Sequence, residues 1–361
     1  MQGEGGVDMN QSIGRRRCPG RTGPALAAAV ALGSVLALGC ATPQPPEPAV
    51  VSAPTPEAPE PAPPAQVDEI GDRGWGYLID RLVRDGVPRE RARRTFQDPR
   101  FEDFDGLSFS IAPREPHSMY RNFLKSGSIR LAKQCRAEHA RAFENAEKTQ
   151  NVPASVVAAI LHVETGCGRN TGDSVILWRL SRLAMANEPG NLEMNIARNA
   201  TVKGVRNEVL AQRTRDRAKY LEDLFYPEVR ATFEIADRMQ IDPLDIRGSG
   251  SGAFGYPQFL PTSFLRHGVD GNGDGAVSLY DLDDAAASAA RYLSVYGWKP
   301  GITQAQKRQV IWHYNRSDAY IDTVLGLAAR LDAPDRATKP AKAARAKPGG
   351  KKAQRVVASG G

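Results

Sequence analysis

Apolar residues recur at helical spacing through most of the chain beyond residue 70, and the alternation that marks strands is almost absent. The pattern is clearest in residues 152–165, VPASVVAAILHVET, where Pro153 suits the first turn of a helix and Gly166 suits its end. Further helices are predicted over 75–86, 88–98, 126–150, 215–240, 283–298 and 319–331. The sequence therefore predicts one mainly α domain spanning residues 70–332.

The first 39 residues have the pattern of a signal peptide. The basic stretch GRRRCPGR precedes a short apolar run that ends in ALGC, and this run is too short for a membrane span. Small residues before Cys40 resemble a bacterial lipobox, although Ala37 stands where leucine is usual. Cleavage before Cys40 and lipidation of its thiol are expected, with an ordinary secretory signal as the alternative. Both place the protein outside the cytoplasm.

Composition separates two further segments from the domain. Residues 40–69 are rich in Pro, Ala and Glu, which predicts a disordered, semi-extended linker. Residues 333–361, a predicted disordered tail, carry eight basic residues and one acidic residue. The net charge of this tail, +7, is the same as that of the whole chain. With +2 in residues 1–39, residues 40–332 are near −2, which argues against a nucleic-acid partner. The tail either contacts an anionic polymer or membrane, or is a solvated segment.

An extracytoplasmic location also bears on the four cysteines of the chain. If Cys18 is removed with the signal and Cys40 is lipidated, Cys135 and Cys167 remain. Two remaining thiols in an oxidising compartment predict a disulfide, with two buried free thiols as the alternative. Such a bridge would fix the chain just after Glu164.

A glutamate stands at the end of the apolar helix predicted over 152–165. Glu164 meets the negative end of the helix dipole and has apolar neighbours such as Leu161 and Val163. Both the dipole and the desolvation are expected to raise its pKa, as a general acid at neutral pH requires. The Glu-Thr-Gly motif is weak by itself, so these residues alone leave two interpretations open, a solvated surface glutamate and a catalytic acid.

Residues 247–264, RGSGSGAFGYPQFLPTSF, form a glycine-rich segment followed by aromatic residues. Glycine lets backbone approach a ligand closely. Phe254 and Tyr256 are expected to stack on sugar faces, and Ser249 and Gln258 to hydrogen-bond to amide or hydroxyl groups. No Gly-Lys-Ser or Gly-Lys-Thr follows, so this is not a phosphate loop. The alternative is a structural turn before a helix.

Residues 270–281, DGNGDGAVSLYD, have the spacing of an EF-hand loop. Gly275 stands at the sixth position, where the chain must turn sharply. Asp281 stands at the twelfth, where glutamate is usual, and its shorter reach lowers the expected affinity. One loop predicts a structural ion, Ca²⁺ or else Na⁺, with a metal-free Asp/Gly turn as the alternative. The predicted ligands are Asp270, Asn272, Asp274, the carbonyl of Ala276, and Asp281.

Together these segments resemble the membrane-bound lytic transglycosylase B family, glycoside hydrolase family 103. The matching motifs, in the family's order and spacing, are VETGCGRNTG, GSGSGAFGYPQFLPTSF, VDGNGDGAVSLYDLDDAAASAARYLSVYGW and YNRSDAY. The resemblance implies a lysozyme-like α-helical fold that cleaves peptidoglycan. The bond cut joins N-acetylmuramic acid to N-acetylglucosamine, and the product carries a 1,6-anhydro end. A monomeric lipoprotein of the Gram-negative periplasm, anchored to the outer membrane, is expected.

Carried onto this sequence, the resemblance implies that Glu164 is the single catalytic acid and base, with no organic cofactor. It assigns to the glycan cleft Tyr120, Ser249, Tyr256, Gln258, Tyr314, Asn315 and Tyr320. The connection from Trp298 to the YNRSDAY motif is short, so an accessory subdomain of some members is expected to be absent. The polar stretch 187–213 is interpreted as an insertion, either a loop or a helical hairpin.

Two other functions are compatible with the same residues. A lysozyme-type hydrolase on this fold would need a second carboxylate, such as Asp173 or Asp245. A non-catalytic lipoprotein would grip peptidoglycan through the cleft and the basic tail. The transglycosylase is favoured because Glu164 lies among the matched family motifs. The family needs no second carboxylate because its nucleophile, the C6 hydroxyl of the muramic acid, is already attached to the substrate.

Overall fold

The structure, a computed structural model, describes residues 71–112, 117–202 and 204–334. The predicted signal peptide, Cys40, the linker and residues 335–361 lie outside the described residues. The α-helices of the described residues are α1 (Gly76–Arg84), α2 (Arg89–Gln97), α3 (Ser126–Glu138), α4 (Ala140–Gln150), α5 (Ala154–Thr165), α6 (Ile176–Ala184), α7 (Pro189–Ala200), α8 (Glu208–Met239), α9 (Pro261–His267), α10 (Leu282–Val295), α11 (Gln304–Tyr314) and α12 (Asp318–Asp332). The prediction of a mainly α domain is confirmed.

Two short antiparallel strand pairs accompany the helices in this part of the chain. Strand β1 (Ser174–Val175) pairs with β4 (Arg247–Gly248), and β2 (Thr201–Val202) pairs with β3 (Val205–Arg206). The β1–β4 pair joins the chain that follows α5 to the start of the glycine-rich segment. It therefore connects two of the regions to which the sequence assigns chemistry.

Helix α5 is the central helix of the core. Every residue from Ala154 to Val163 is buried, because this helix is apolar on all sides and packs against α3, α4, α10 and α12. Complete burial of Ile160 and Leu161 contributes about 1.5–3 kcal/mol for each side chain. The C-terminal turn of α5, which carries Glu164, is thus held by a rigid scaffold.

The helix predicted over 126–150 is wrong in one respect, because the chain forms two helices there. His139 leaves helical geometry, with φ −117° and ψ 34°, and separates α3 from α4. The two helices pack against different neighbours. Helix α3 contacts α12, whereas α4 packs mainly along the alanine-rich face of α10. A single straight helix would not reach both neighbours.

The described residues of the polar stretch 187–213 are mainly helical, as the second of the two interpretations predicted. It forms α7, the β2–β3 hairpin and the first turns of α8, and α7 packs against α8. Asn207 caps α8 by accepting a hydrogen bond from the Leu210 N–H at 3.1 Å, so α8 begins at Glu208, earlier than predicted. Two helices, α6 and α11, were not predicted from the sequence, and α9 was anticipated only as a helix between the glycine-rich segment and the predicted ion loop.

A disulfide joins Cys135 in α3 to Cys167, with the two Cα atoms 6.5 Å apart. Cys167 lies just beyond the end of α5 and has a left-handed backbone, with φ 57°. Its N–H donates to the Leu161 carbonyl at 3.0 Å. The chain immediately after Glu164 is therefore tied both to α3 and back to α5.

Candidate active site

Glu164 lies half-buried in the last turn of α5, where its partner comes from the far end of the chain. The hydroxyl of Tyr320 donates a 2.6 Å hydrogen bond to Oε1 of Glu164. Tyr320 belongs to the first turn of α12, and only 1% of its surface is exposed. Packing of α12 against α5 thus fixes a phenol donor on the carboxylate.

Two further tyrosines surround this pair. The ring of Tyr314 stacks nearly parallel to Tyr320, with centroids 6.4 Å apart, and its hydroxyl donates to the Pro257 carbonyl at 2.5 Å. Tyr120 packs edge-on against Tyr320, with centroids 5.7 Å apart. The structure therefore brings three of the predicted cleft tyrosines together beside Glu164.

The phenols of Tyr314 and Tyr320 remain protonated across the neutral range. Burial is the main cause that raises the pKa of Tyr320 well above its usual range, and the charge of Glu164 is the next. The same two causes, in the same order, raise the pKa of Tyr314. Tyr320 therefore acts toward Glu164 as a hydrogen-bond donor.

Two predicted cleft residues, Ser249 and Gln258, use their side chains to shape the glycine-rich segment. The hydroxyl of Ser249 accepts from the Ala253 N–H at 3.2 Å and closes a tight turn. The side-chain amide of Gln258 donates to the carbonyls of Thr171 (3.1 Å) and Gly255 (2.9 Å). These amide N–H groups hold the segment against the loop after α5.

The two predicted sugar-stacking aromatics differ in location. Tyr256 is half-buried, and its ring lies over the backbone of Gly168, where a Cβ atom would overlap the ring. Phe254 is 3% exposed and packs against Phe264, so its predicted contact with a sugar face is wrong. From Tyr256 to Leu260, partly exposed and buried residues therefore alternate along this segment.

The remaining predicted residues are Asn315, Asp245 and Asp173, and none of the hydrogen bonds described above joins them to Glu164. Asn315 follows α11 directly, and its N–H donates to the Ile311 carbonyl at 3.0 Å. Of the two carboxylates considered as a second acid, Asp245 accepts from Arg100 at 3.0 Å in a surface ion cluster. Asp245 is therefore paired with a guanidinium group on the surface. Asp173 is exposed just before β1.

The predicted ion loop lies between α9 and α10. The carboxylate of Asp270 accepts from the N–H groups of Gly273 (2.6 Å) and Gly275 (2.9 Å), so the loop wraps around it. The side-chain amide of Asn272 donates to Asp274 at 3.0 Å. Gly275 has φ 89°, the sharp turn that the sixth position demands. The side chains of Asp270, Asn272 and Asp274 are thus hydrogen-bonded within one loop.

Asp281, the last predicted side-chain ligand, caps α10 by accepting from the Asp283 N–H at 2.9 Å. A buried carboxylate that the sequence did not single out, Asp284, accepts from Gly271 (2.8 Å) and Ser278 (2.7 Å) and spans the loop. Among the described residues, no group of three His, Cys, Asp or Glu side chains is arranged to hold a metal.

The ion loop and the glycine-rich segment are joined. The Tyr256 N–H donates to the Leu279 carbonyl at 2.8 Å, and a Cβ atom on Gly255 would overlap Leu279. In turn, the Tyr256 carbonyl accepts from the hydroxyl of Thr165 at 3.0 Å. The sequence analysis did not identify Asp284 and Thr165. Both stabilise the site through hydrogen bonds to residues outside their own helical turn, and no local sequence signal marks such a role.

A half-buried glutamate at the end of a central helix, bonded to a tyrosine and bordered by a glycine-rich segment, defines a lysozyme-like α-helical domain. The sequence profile of the Transglycosylase SLT domain matches residues 73–308, more than half of the 361-residue chain. The chain therefore belongs to the Transglycosylase SLT domain family, whose members act on peptidoglycan. The resemblance identified from the sequence motifs is confirmed at this level.

A curated relative is the membrane-bound lytic murein transglycosylase B of Escherichia coli (strain K12), which is 32% identical over 160 residues. That match covers 44% of this chain and 36% of the relative, so the chain matches only about a third of the relative's length. Among the described residues, no helix has both the length and the apolar character needed to span a membrane.

Solved structures share the fold. Soluble lytic transglycosylase SltB1 from Pseudomonas aeruginosa has a TM-score of 0.54 at 24% identity, over 71% of this chain and 97% of that chain. The Escherichia coli lytic transglycosylase Slt35 in complex with calcium has a TM-score of 0.52 at 21% identity, over 72% and 92%. SltB3 from Pseudomonas aeruginosa in complex with NAG-anhNAM-pentapeptide has a TM-score of 0.52 at 17% identity, over 73% and 79%.

Proposed function

We propose that the chain is a peptidoglycan lytic transglycosylase that cleaves the β-1,4 bond between N-acetylmuramic acid and N-acetylglucosamine without water. The observation that carries this proposal is the Glu164 carboxyl group, half-buried at the end of α5 and hydrogen-bonded to Tyr320. Family membership supports the substrate class, as does the structure of SltB3 in complex with NAG-anhNAM-pentapeptide. The glycan would bind across Tyr256 and Tyr314, which are partly exposed, whereas the buried Tyr320 would contact Glu164 rather than the sugar.

Glu164 would serve two proton transfers in this mechanism. It first donates its proton to the glycosidic oxygen as the bond to the muramic acid C1 breaks. The resulting carboxylate then accepts the proton of the C6 hydroxyl, whose oxygen bonds to C1 and forms the 1,6-anhydro ring. Because that hydroxyl is tethered to the reacting sugar, its effective concentration is high, and a second carboxylate is not needed. The proton balance returns Glu164 to its acid form.

The Tyr320 hydroxyl would assist the first half of this cycle, in which Glu164 gives up its proton. A phenol that donates to Oε1 stabilises the carboxylate formed after proton transfer. Because burial keeps the phenol protonated, this donor persists throughout turnover. The rival hydrolase receives less support, because Asp245 is engaged in an ion pair with Arg100 at 3.0 Å.

The decisive experiment compares the full-length chain, purified in detergent, with its Glu164→Gln variant on purified murein sacculi. Mass spectrometry of the released muropeptides should detect 1,6-anhydro ends from the wild type and none from the variant. Loss of the carboxyl group should lower the rate by at least about 10²-fold, since acid and base catalysis both depend on it. Reducing ends from the wild type would instead identify a hydrolase, and binding to sacculi without turnover would identify a tethering protein.

We also propose that residues 270–281 hold a structural Ca²⁺ ion, with Na⁺ as the weaker alternative. The donor atoms of Asp270, Asn272 and Asp274 are carboxylate and amide oxygens, which hard cations prefer. The related Slt35 was solved in complex with calcium, which supports the choice of ion. The ion would stiffen the loop whose Leu279 carbonyl holds Tyr256.

Finally, we propose that the protein is a periplasmic lipoprotein of a Gram-negative bacterium, attached to the outer membrane through Cys40. The support is the ALGC sequence after a short apolar run, together with the membrane-bound relative. Several acyl chains would give stable attachment, whereas a single chain would bind only reversibly. The Pro-rich residues 41–69 would then let the catalytic domain reach the glycan.

A further inference from the structure

Thr165, the residue immediately after Glu164, has an environment that differs from that of an ordinary helical threonine. It is 3% exposed and ends α5. Its hydroxyl donates to the Tyr256 carbonyl at 3.0 Å, with the Leu161 carbonyl at 3.2 Å sharing the same hydrogen. The same oxygen accepts from the Gly168 N–H at 2.9 Å. One buried hydroxyl thus bonds to the helix, the following loop and the glycine-rich segment.

Other buried threonines of the described helices bond only within their own helix. The hydroxyl of Thr232 in α8 donates to the Glu228 carbonyl at 2.8 Å, and that of Thr323 in α12 donates to the Ala319 carbonyl at 2.8 Å. Such a bond to the preceding turn satisfies the hydroxyl and fixes nothing outside the helix. The tertiary bonds of Thr165 are therefore an addition to this common arrangement, and they join segments about 90 residues apart.

Gly168 provides a second contact between the loop after α5 and Tyr256. Its backbone has φ 79°, and a Cβ atom there would overlap the ring of Tyr256. The ring consequently lies directly on the loop whose N–H is held by Thr165. The Thr165 hydroxyl and the bare Gly168 backbone together fix Tyr256 relative to the turn of α5 that carries Glu164.

We propose that Thr165 is a positioning residue for the reaction: its hydroxyl sets the placement of Glu164 relative to the substrate-binding Tyr256. This inference rests on the proposed transglycosylase function. Thr165 acts through its neighbours and does not touch the glycan. Misplacement of a reacting group by about 1 Å costs up to about 10²-fold in rate, so a lost hydroxyl here should be visible in turnover.

The test compares four variants of the full-length chain in detergent, with purified murein sacculi as substrate. Thr165→Val keeps the shape and removes the hydroxyl, Thr165→Ala also removes the methyl group, and Thr165→Ser restores the hydroxyl. Thr232→Val is the matched control, because it removes a buried hydroxyl that bonds only within its helix. Initial rates of anhydro-muropeptide release over a range of sacculus concentrations separate kcat from KM, and thermal unfolding monitors folding.

Removal of the hydroxyl in Thr165→Val should lower kcat roughly 10- to 100-fold, with KM changed less than about threefold. Thr165→Ser should recover kcat to within about threefold of wild type, and Thr232→Val should keep the wild-type kcat despite lower thermal stability. A folded Thr165→Val with wild-type kcat would overturn the inference, as would Thr165→Ser performing as poorly as Thr165→Val. If Thr165→Val does not fold, Thr165→Ala decides by the same criterion.

Failure of the underlying function is visible separately in the wild type. If wild-type protein releases no anhydro ends, the transglycosylase proposal falls and the positioning role falls with it. If wild-type protein releases them and Glu164→Gln does not, the function stands whatever the Thr165 variants do. A structural role alone would lower the melting temperature of Thr165→Val while leaving the kcat of the folded fraction unchanged.

Discussion

Single residues in this protein take their chemical character from neighbours that are distant in sequence. Glu164 is a candidate acid from its place at the end of an apolar helix, but its hydrogen-bond donor, Tyr320, lies 156 positions later. Tyr314 and Tyr120 then pack around that donor. The raised pKa predicted for Glu164 from the dipole and its apolar neighbours stays a prediction that a pH–rate profile would test.

Buried histidine gives a further residue-scale prediction. His267 in α9 is 5% exposed and packs against Tyr292 and Tyr296. Burial, followed by the charges of Arg291 and Arg266, lowers the pKa of His267. Its neutral form therefore stabilises the fold above the unfolded-state pKa of about 6.5, and this stability is lost as pH falls through the folded-state pKa.

The change His267→Phe keeps an aromatic ring and removes the titration. Wild type should lose stability relative to this variant between pH 7 and pH 5, by up to about 1.4 kcal/mol per pH unit. Urea unfolding of both proteins at several pH values measures this difference. His313→Phe, which alters an exposed histidine stacked on Tyr296, is the control. A difference between wild type and His267→Phe that does not vary with pH would contradict the prediction.

At the scale of elements, the sequence predicted those helices whose apolar pattern is long and regular. Helices α5, α10 and α12 were found near their predicted positions. Helices α6 and α11 escaped prediction because they are short or carry mixed patterns, and their stability comes from packing against α8, α10 and α12. The break at His139 is likewise a consequence of packing.

The loop between α9 and α10 supplies the element-scale prediction. If residues 270–281 bind Ca²⁺, adding Ca²⁺ at 100 times its Kd should stabilise the full-length chain by about 2.7 kcal/mol, and a chelator should reverse the effect. Asp274→Ala should abolish the Ca²⁺-dependent rise in melting temperature, because it removes a predicted ligand. The neighbouring Asp283→Asn, outside the predicted ligand set, should retain it.

Thermal unfolding with CaCl₂, and with NaCl at matched ionic strength, distinguishes the two candidate ions. A rise with CaCl₂ alone supports Ca²⁺, whereas equal rises would indicate Na⁺ or a general effect of salt. No response of the wild type to either salt would contradict a structural ion in this loop.

For the whole molecule, the main prediction concerns attachment. If Cys40 carries acyl chains, the full-length protein expressed in a Gram-negative host should sediment with membranes, and Cys40→Ser should move it to the soluble fraction. Cell fractionation followed by mass spectrometry of the mature N-terminus provides the measurement. Cys18→Ser is the matched control, because that residue would be removed with the signal peptide. Membrane attachment of Cys40→Ser at the wild-type level would contradict lipid anchoring at this cysteine.

The sequence by itself determined the fold class, the family and the main candidates for chemistry. These follow from local patterns: helical periodicity, a glutamate at a helix end, a glycine-rich segment and Asp/Asn spacing in a loop. Family motifs added the late tyrosines. Such features can be recognised from the sequence because each depends on residues close together along the chain.

Only the tertiary structure decided which side chains reach the site and in what role. In the folded chain, Phe254 is buried in the core, and the side-chain amide of Gln258 donates to backbone carbonyls. The hydroxyl of Thr165 has three hydrogen-bond partners, which lie in separate segments. These outcomes depend on how helices pack, and hydrogen bonds between distant segments leave no periodic trace in the sequence. The physical reason is that burial and hydrogen-bond satisfaction are properties of the whole packed chain.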